Sequence, residues 1–335
     1  MTLPIIGITM GDPTGIGPEI IVKALSMEEP FQACRPIVFG DAGVLLRAIK
    51  MQGLSTKVEI IEKIPEGGYR PQTIFLVSLS QLKIASLHYG KPDKECGEAM
   101  VNYVEEAVKF VREKAVDAIT TCPINKHAIN AAGYSFPGHT ELLAHLVQAS
   151  SVVMMFLGSK WKVVLVTTHL PIKEIPTWIT RSRVLTTIRI THEGLKKYFG
   201  ITHPKMAVLG LNPHSGEEGI LGEEEKLEIL PAIEGARSQG MEIEGPFPAD
   251  SFFTLSNSYK FDAVISMYHD QGLIPIKMVD FKEAVNLTLG LPFIRTSVGH
   301  GTAYDIAGRG IADPTNLVKA MLAAAKLSKS HRLNS

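Results

Sequence analysis

The sequence has few cysteines, no excess of either charge and no long apolar run, and each absence excludes a class of protein. The three cysteines form no CxxC pair, which argues against a disulfide framework or a thiolate zinc site and fits a reducing cytosol. Lysine plus arginine and aspartate plus glutamate number 34 each, so the net charge does not indicate nucleic acid or an anionic membrane as a partner. No apolar run approaches the length of a membrane span, and no basic segment opens a signal peptide. We therefore expect a soluble, cytoplasmic protein.

Short apolar runs alternate with helical patterns along most of the 335 residues. Eight runs are typical of strands: Ile5–Thr9, Pro36–Gly40, Thr73–Ser78, Asp117–Thr121, Val152–Leu157, Lys162–Thr168, Lys205–Leu211 and Asp262–Ser266. Four stretches have helical periodicity: Cys96–Ala115, Arg181–Tyr198, Glu223–Gln239 and Pro314–Ser328. Several strand-like runs are apolar at nearly every position, as in parallel strands covered on both faces. The alternation predicts an α/β fold with a mainly parallel sheet, and the length suffices for two lobes.

Three histidines each stand just past a strand-like run: His169, His214 and His269. Ligands bind at the carboxyl ends of strands in α/β proteins, and neutral imidazole is the commonest side-chain ligand of a catalytic divalent metal. Any one of these histidines alone is more simply an ordinary loop-end or core residue. Their repeated placement favours a shared metal site. Asp270, directly after His269, is a candidate ligand, catalytic base or partner that orients the imidazole.

Five polar residues are candidates for holding an anionic substrate: His139, Thr140, Lys277, Asn286 and Arg295. The first two open a helix, whose free amide groups and positive dipole end suit an anion, although a simple helix cap is an equally good interpretation. The other three interrupt an apolar stretch, where polar groups need partners. The guanidinium of Arg295 can fork onto phosphate or carboxylate. Surface exposure is the alternative for Lys277.

The segment Gly11–Glu19 follows the first strand and opens a helix, with Pro18 suited to the first helical position. It matches neither a Walker loop nor the GxGxxG dinucleotide motif. A structural turn and a ligand-binding loop are equally compatible with its glycines, which permit tight turning and close backbone approach.

The segment His300–Pro314 carries the most specific motif of the chain, His-Gly-Thr-Ala-Tyr-Asp. It resembles the adenosine-binding loop of the metal-dependent β-decarboxylating dehydrogenases, the isopropylmalate and isocitrate dehydrogenase group. That resemblance implies cofactor contacts at His300, Gly301, Thr302, Ala303 and Asp305. A carboxylate at position 305 can accept a bond from a ribose hydroxyl and would repel an added 2′-phosphate, which favours NAD over NADP.

Taken over nearly its full length, the chain resembles the 4-hydroxythreonine-4-phosphate dehydrogenases, enzymes of vitamin B6 biosynthesis. The matching blocks are Gly7–Glu19, Pro137–Glu141, Thr167–Pro171, Gly210–His214, Met267–Gly272, Val285–Ser297 and the His300 loop. One departure is Gly299, where many members carry aspartate. Related dehydrogenases for D-threonate or D-erythronate 4-phosphate keep the same motifs, so the exact substrate stays open between these groups.

The resemblance implies a two-lobed, isocitrate/isopropylmalate dehydrogenase-like fold. Residues 1–135 and 290–335 then form an outer lobe with the cofactor loop, and residues 136–289 form the metal- and dimer-forming lobe. It implies one divalent ion held by His169, His214 and His269 at the interface of a homodimer, with one histidine from the partner subunit. It further implies substrate contacts at the five anion-binding candidates.

These features predict metal-assisted oxidation of a small phosphorylated hydroxy acid by NAD, followed by loss of carbon dioxide from the β-keto acid. Lys277 and Asp270 are the candidate catalytic groups, with Lys277 as base, proton donor or simply a substrate contact. Zinc, cobalt, manganese and magnesium all remain open, although three imidazoles lean towards a transition metal. A non-redox metal-dependent lyase or transferase is the alternative class, and a non-catalytic metabolite sensor is a weaker one.

Overall fold

A computed structural model describes residues 2–254 and 256–334. They form two compact units, one made of residues 2–150 and 291–329 and the other of residues 151–290 and 330–334. None of the described helices is long and apolar enough to cross a membrane.

The strands of the described residues, in chain order, are β1 (Ile5–Thr9), β2 (Arg35–Asp41), β3 (Lys57–Ile60), β4 (Thr73–Ser80), β5 (Ala118–Thr121), β6 (Val153–Leu157), β7 (Lys162–Leu165), β8 (Lys205–Leu209), β9 (Glu242–Phe247), β10 (Ala263–Ser266), β11 (Val285–Leu289) and β12 (Ile294–Ser297). All eight strands predicted from the apolar runs are present, with small shifts at their ends.

The α-helices are α1 (Gly17–Ala24), α2 (Glu29–Ala33), α3 (Ala42–Gln52), α4 (Lys94–Arg112), α5 (Lys126–Ala131), α6 (His139–Leu146), α7 (Ile175–Trp178), α8 (Arg181–Phe199), α9 (Leu230–Arg237), α10 (Ala249–Phe252), α11 (His269–Asp280) and α12 (Thr315–Asn334). Short 3-10 turns cover Ile84–Ser86, Ile172–Glu174, Pro213–Gly219 and Ser256–Lys260, and a π-helical turn, Glu225–Ile229, leads into α9.

The first unit contains strands in the order β3-β4-β2-β1-β5-β12, and every neighbouring pair is parallel. The second unit contains strands in the order β11-β6-β7-β10-β8-β9. Strand β6 is antiparallel to both of its neighbours, whereas β7, β10, β8 and β9 run parallel. The predicted α/β class with mainly parallel strands is confirmed.

Helix α4 shows how the first unit builds its core. The side chain of Asp93 accepts the backbone N–H of Cys96 at 2.9 Å and so caps the helix. The apolar stripe that begins at Met100 and ends at Val111 is buried, as its spacing predicts. Helix α6 also packs against α4, and residues 136–150 therefore belong to this unit, although the sequence placed them in the second lobe.

Helix α11 lies tightly on the strands of the second unit. A Cβ added to Gly272 would lie 2.4 Å from the Ser266 hydroxyl and 2.8 Å from side-chain atoms of Val163 and Leu165. Only glycine permits this approach, since even one methyl group would overlap β7 and β10. The close packing fixes the start of α11, and the first residue of that helix is His269.

Candidate functional site

The three histidines at strand ends belong to three neighbouring strands of the second unit. Strand β10 pairs in parallel with β7 on one side and with β8 on the other. The strands therefore end at the same edge, and His169, His214 and His269 follow their carboxyl ends. The sequence argument anticipated this shared edge from the three apolar runs.

The structure brings two of the three imidazoles together. The ring centroids of His169 and His269 are 5.7 Å apart. Nδ1 of His269 lies 2.7 Å from Oδ1 of Asp270, an arrangement that orients the ring and leaves Nε2 for a metal ion. Within residues 2–254 and 256–334 no group of three His, Cys, Asp or Glu side chains is placed to hold a metal ion. One chain therefore places the imidazoles of His169 and His269 close together, and His214 does not form a three-residue group with them.

His214 lies in a left-handed turn, a conformation that its sequence did not suggest. The φ angles of His214, Ser215, Glu217 and Glu218 are 52°, 52°, 43° and 58°, and Gly216 has a φ of 82°. Left-handed backbone costs a non-glycine residue roughly 1–2 kcal/mol. The surrounding structure must therefore hold this turn, and it presents the His214 side chain to solvent.

The Glu225 carboxylate stabilises the left-handed turn that contains His214. Glu225 is 5% exposed, and its Oε1 accepts the backbone N–H groups of Leu211 and Asn212, both at 2.7 Å. Oε2 accepts Nδ2 of Asn212 at 2.9 Å. A Cβ on Gly216 would lie 2.6 Å from the same oxygen, so the turn closes directly over the carboxylate. The run Glu223–Glu225 resembles an ordinary acidic first turn of a helix, and sequence reasoning missed this role.

We expect Glu225→Gln to lower the free energy of unfolding by about 1–3 kcal/mol, because an amide nitrogen would face N–H donors that a carboxylate oxygen now satisfies. Glu224→Gln is the matched control, since the Glu224 carboxylate accepts the Asn212 side-chain N–H at 2.8 Å and not the backbone N–H groups that Glu225 accepts. Urea unfolding of both variants measures the difference. Equal losses for the two variants would contradict the role assigned to Glu225.

Arg295 and His139 form the anion-binding candidate of the first unit. Arg295 on β12 is 3% exposed, and its Nη2 donates to Oγ1 of Thr121 at 2.7 Å. Burial lowers the pKa of Arg295 to about 10, which Glu141 partly opposes, so the guanidinium is still charged at neutral pH. Burial, and secondly the charge of Arg295, hold the pKa of His139 well below its usual range. His139 is therefore a neutral imidazole beside a buried cation.

Two of the candidate substrate residues, His139 and Asn286, each have a buried polar atom without a hydrogen-bond partner among the described residues. Nε2 of His139, at the start of α6, has no hydrogen-bond partner in the described part of the chain. Oδ1 of Asn286, on β11 of the second unit, is likewise buried and without a partner there. Lys277 on α11 is half-buried rather than fully exposed, and Thr140 is half-buried in the first turn of α6. Buried polar groups need partners, which is what a bound substrate would provide.

The loop between β12 and α12 presents an open face. An added Cβ on Gly301 would meet nothing within 4 Å, and the Asp305 carboxylate is exposed. Nε2 of His300 is buried and has no hydrogen-bond partner among the residues described, while its Nδ1 lies 3.0 Å from the Gly301 carbonyl oxygen. Gly299, the departure from the family pattern, donates its N–H to Oδ1 of Asn316. Open backbone, an imidazole nitrogen and a carboxylate fit an adenosine group.

The Gly11–Glu19 segment and the nearby Lys23 form hydrogen bonds with this loop. The N–H of Ile16 donates to the Thr302 carbonyl at 3.1 Å. The buried Glu19 carboxylate accepts the N–H groups of Gly308 at 2.5 Å and Gly310 at 3.1 Å. Lys23 donates to the carbonyl oxygens of Gly310 and Ala312 at 2.8 and 2.7 Å. Of the two interpretations of this segment, a structural turn and a ligand-binding loop, the contacts favour the structural one. The segment holds the 300–312 loop in place.

Two α/β units with mainly parallel strands, one with histidines at its strand ends and the other with an open loop that carries Gly301 and Asp305, define a two-unit α/β protein. A family model described as "Pyridoxal phosphate biosynthetic protein PdxA" matches residues 32–324. The chain belongs to the PdxA family, and the resemblance inferred from its sequence is confirmed.

Relatives and solved structures agree with this assignment. The chain is 48% identical over 334 residues to a 4-hydroxythreonine-4-phosphate dehydrogenase of Desulforapulum autotrophicum, an alignment that covers 99% of this chain and 98% of the relative. It is 44% identical over 327 residues to a D-threonate 4-phosphate dehydrogenase of Cupriavidus necator, covering 97% and 98%. The crystal structure of a 4-hydroxythreonine-4-phosphate dehydrogenase from Klebsiella pneumoniae has a TM-score of 0.90 at 37% identity, covering 97% and 99%. The family is thus one of dehydrogenases.

Proposed function

We propose that this chain oxidises 4-phosphohydroxy-L-threonine with NAD and a divalent metal ion. The resulting β-keto acid loses carbon dioxide to give 3-amino-2-oxopropyl phosphate, on the route to pyridoxal phosphate. The observation that carries the proposal is the pairing of His169 and His269 at the carboxyl ends of adjacent parallel strands, in a chain so similar to dehydrogenases of this name.

The donor set fits a transition metal better than magnesium, because the paired groups are imidazoles. When bound, the metal supplies Lewis acidity towards the substrate oxygens, and NAD supplies the hydride acceptor. Asp270 orients the His269 ring through Nδ1. Lys277 is the residue that we assign to proton transfer, because it is half-buried on the same helix as His269.

A homodimer completes the metal site in this proposal. Helix α11 and the residue after it expose Ile274, Met278 and Phe281 at 57%, 82% and 74%, with the spacing of one helical face. Ile220, close after His214, is 79% exposed. A second copy covering these apolar side chains would bring His214 of one protomer to the His169–His269 pair of the other, which supplies the third imidazole that one chain lacks.

The substrate anions are held by charge and by neutral donors together. Arg295 provides a buried cation and His139 a neutral imidazole beside it. Thr140 adds a hydroxyl next to His139 in the first unit, and Asn286 and Lys277 are the polar candidates of the second unit. A fully desolvated guanidinium suits phosphate or carboxylate, since its planar fork can bind two oxygens at once.

A second candidate is D-threonate 4-phosphate dehydrogenase, favoured by the 44% identity to the Cupriavidus necator enzyme of that name. The two substrates share the phosphate, the carboxylate and the hydroxyl that is oxidised. They differ in an amino group or a hydroxyl group beside the carboxylate, so the same metal and phosphate residues serve both.

The test is NADH formation with each of the two substrates, with and without a chelator, followed by restoration with zinc, cobalt, manganese or magnesium. We expect chelator-sensitive turnover that is faster with 4-phosphohydroxy-L-threonine and faster with NAD than with NADP. A clear preference for D-threonate 4-phosphate would transfer the assignment to sugar-acid catabolism. No NADH from either substrate in the presence of metal would refute both and favour a non-redox lyase or transferase.

A further inference from the structure

Tyr304 lies in the middle of the predicted cofactor loop and reaches away from its open face. Its hydroxyl donates to Oδ2 of Asp12 at 2.5 Å and accepts Nδ2 of Asn125 at 2.6 Å. Asp12 is fully buried and follows β1, Asn125 follows β5, and Tyr304 follows β12. One phenolic oxygen therefore joins three separate segments of the first unit.

Each partner of Tyr304 is itself fixed. Oδ1 of Asp12 accepts the N–H of Thr14 at 2.7 Å and its hydroxyl at 2.8 Å, which shapes the turn after β1. Oδ1 of Asn125 accepts the N–H of Ala128 at 2.9 Å and caps α5. Tyr304 thus binds to two side chains that are themselves hydrogen-bonded to the backbone near the ends of β1 and α5.

The protonation state suits this arrangement. Burial, together with Asp12, raises the pKa of Tyr304 above its ordinary value, so the phenol keeps its proton and donates a hydrogen bond to Asp12 at neutral pH. Burial also raises the pKa of Asp12, and the hydrogen bonds from Tyr304 and Thr14 oppose that rise.

The loop contains both anchored and open positions. The carbonyl of Thr302 and the hydroxyl of Tyr304 are bonded to the Gly11–Glu19 segment or to Asn125, whereas Gly301 and Asp305 face open space or solvent. The carboxylate that would contact the ribose is thus adjacent to Tyr304, whose hydroxyl makes two hydrogen bonds. Preorganisation of this kind lowers the entropy lost when a ligand binds.

We propose that Asp12, Asn125 and Tyr304 form a brace that holds Asp305 and Gly301 in the geometry required for the dinucleotide, and that Tyr304 is a positioning residue for cofactor binding. This rests on the proposed function, because it takes residues 300–305 as the cofactor loop. The brace acts on the affinity for the cofactor, since none of its three side chains needs to touch the reacting atoms.

Tyr304→Phe removes the hydroxyl and keeps the ring. Tyr89→Phe is the matched control, because the Tyr89 ring packs against Gly308 of the same loop while its hydroxyl contacts the sulfur of Met51, at 3.7 Å, and the Arg47 side chain, neither of which belongs to that loop. We expect Tyr304→Phe to raise the Kd for NADH and the KM for NAD about tenfold, as the loss of one buried hydrogen bond that orders the loop implies. The kcat at saturating NAD should change far less, and Tyr89→Phe should leave the Kd within about twofold.

NADH binding is measured by calorimetry on the purified enzyme without substrate, and KM and kcat by initial rates. An Asp12→Asn variant and the Asp12→Asn/Tyr304→Phe double variant complete a cycle, in which the brace requires losses that do not add. Unchanged NADH affinity in Tyr304→Phe, or equal losses in Tyr304→Phe and Tyr89→Phe, would overturn the brace while leaving the dehydrogenase assignment intact. A wild-type enzyme that neither binds NADH nor forms it would overturn both.

Discussion

Replacing His269 by alanine is expected to reduce turnover at least about a thousandfold and to reduce the bound metal in the purified protein. The imidazole of His269 is one of the two that lie side by side at the strand ends, and its removal leaves His169 as a single nitrogen on that chain. One imidazole cannot replace the chelate of two, and added metal should restore little activity.

Two further variants test whether the loss of turnover in His269→Ala comes from the loss of a metal ligand. Asp270→Asn keeps the ring but weakens the contact at Nδ1, so metal affinity should fall about 10–100-fold and excess metal should restore turnover. His203→Ala removes an exposed histidine that precedes β8 in the same unit and should change nothing. Metal content by mass spectrometry and the visible spectrum of a cobalt-loaded sample report binding independently of activity. Full metal content and full activity in His269→Ala would remove the basis of the proposed site.

The strands that were predicted from sequence are short, nearly uninterrupted apolar runs. Among the strands that were missed, β11 and β12 are buried, but Asn286 and Arg295 interrupt their apolar runs. The other two missed strands, β3 and β9, differ from these: β3 is mostly exposed, and β9 contains Gly245 and Pro246 within a half-exposed run. Each lies at the end of its unit's strand order, where one row of backbone hydrogen bonds to a neighbour stabilises the strand. Apolar periodicity carries no signal for strands of this kind.

Helix α11 was missed for a different reason. Pro275 lies inside it, and the sequence from Gln271 onwards is apolar without a clear helical period. Packing on β7 and β10 through Gly272 determines that helix, and the sequence shows the glycine but not what it meets. The consequence for the site is direct, because His269 is the first residue of a helix rather than part of a loop.

The candidate site likewise has features that could be predicted from the sequence and features that could not. The shared edge for the three histidines follows from strand direction alone, which a sequence can reveal. The support of the His214 turn by Glu225 depends on left-handed backbone that no residue pattern announced. The bond between Asp12 and Tyr304 joins residues at opposite ends of the chain, and one sequence contains no information on such pairs.

The substrate-binding prediction with the largest expected effect concerns Arg295. Arg295→Met should lower kcat/KM about 100–1,000-fold, mainly by raising KM for the phosphorylated substrate, because the site loses its buried cation while His139 remains neutral. Arg295→Lys should recover only part of the loss, since an ammonium group keeps the charge but cannot fork onto two oxygens.

We expect Arg295→Met to fold, so that a loss of activity in this variant can be attributed to substrate binding. Arg295 is 3% exposed, and a methionine of similar length fills the same space without a buried polar group that needs a partner. A raised or unchanged melting temperature with a collapsed kcat/KM would separate binding from stability. Thr121→Val is the control for the local contact, because it removes the hydroxyl that Nη2 now donates to at 2.7 Å and keeps the guanidinium. We expect a loss of about tenfold or less there. If Arg295→Met folded and kept its KM, the buried guanidinium would be a structural group, and the anion would have to be held by Lys277 and Asn286 instead.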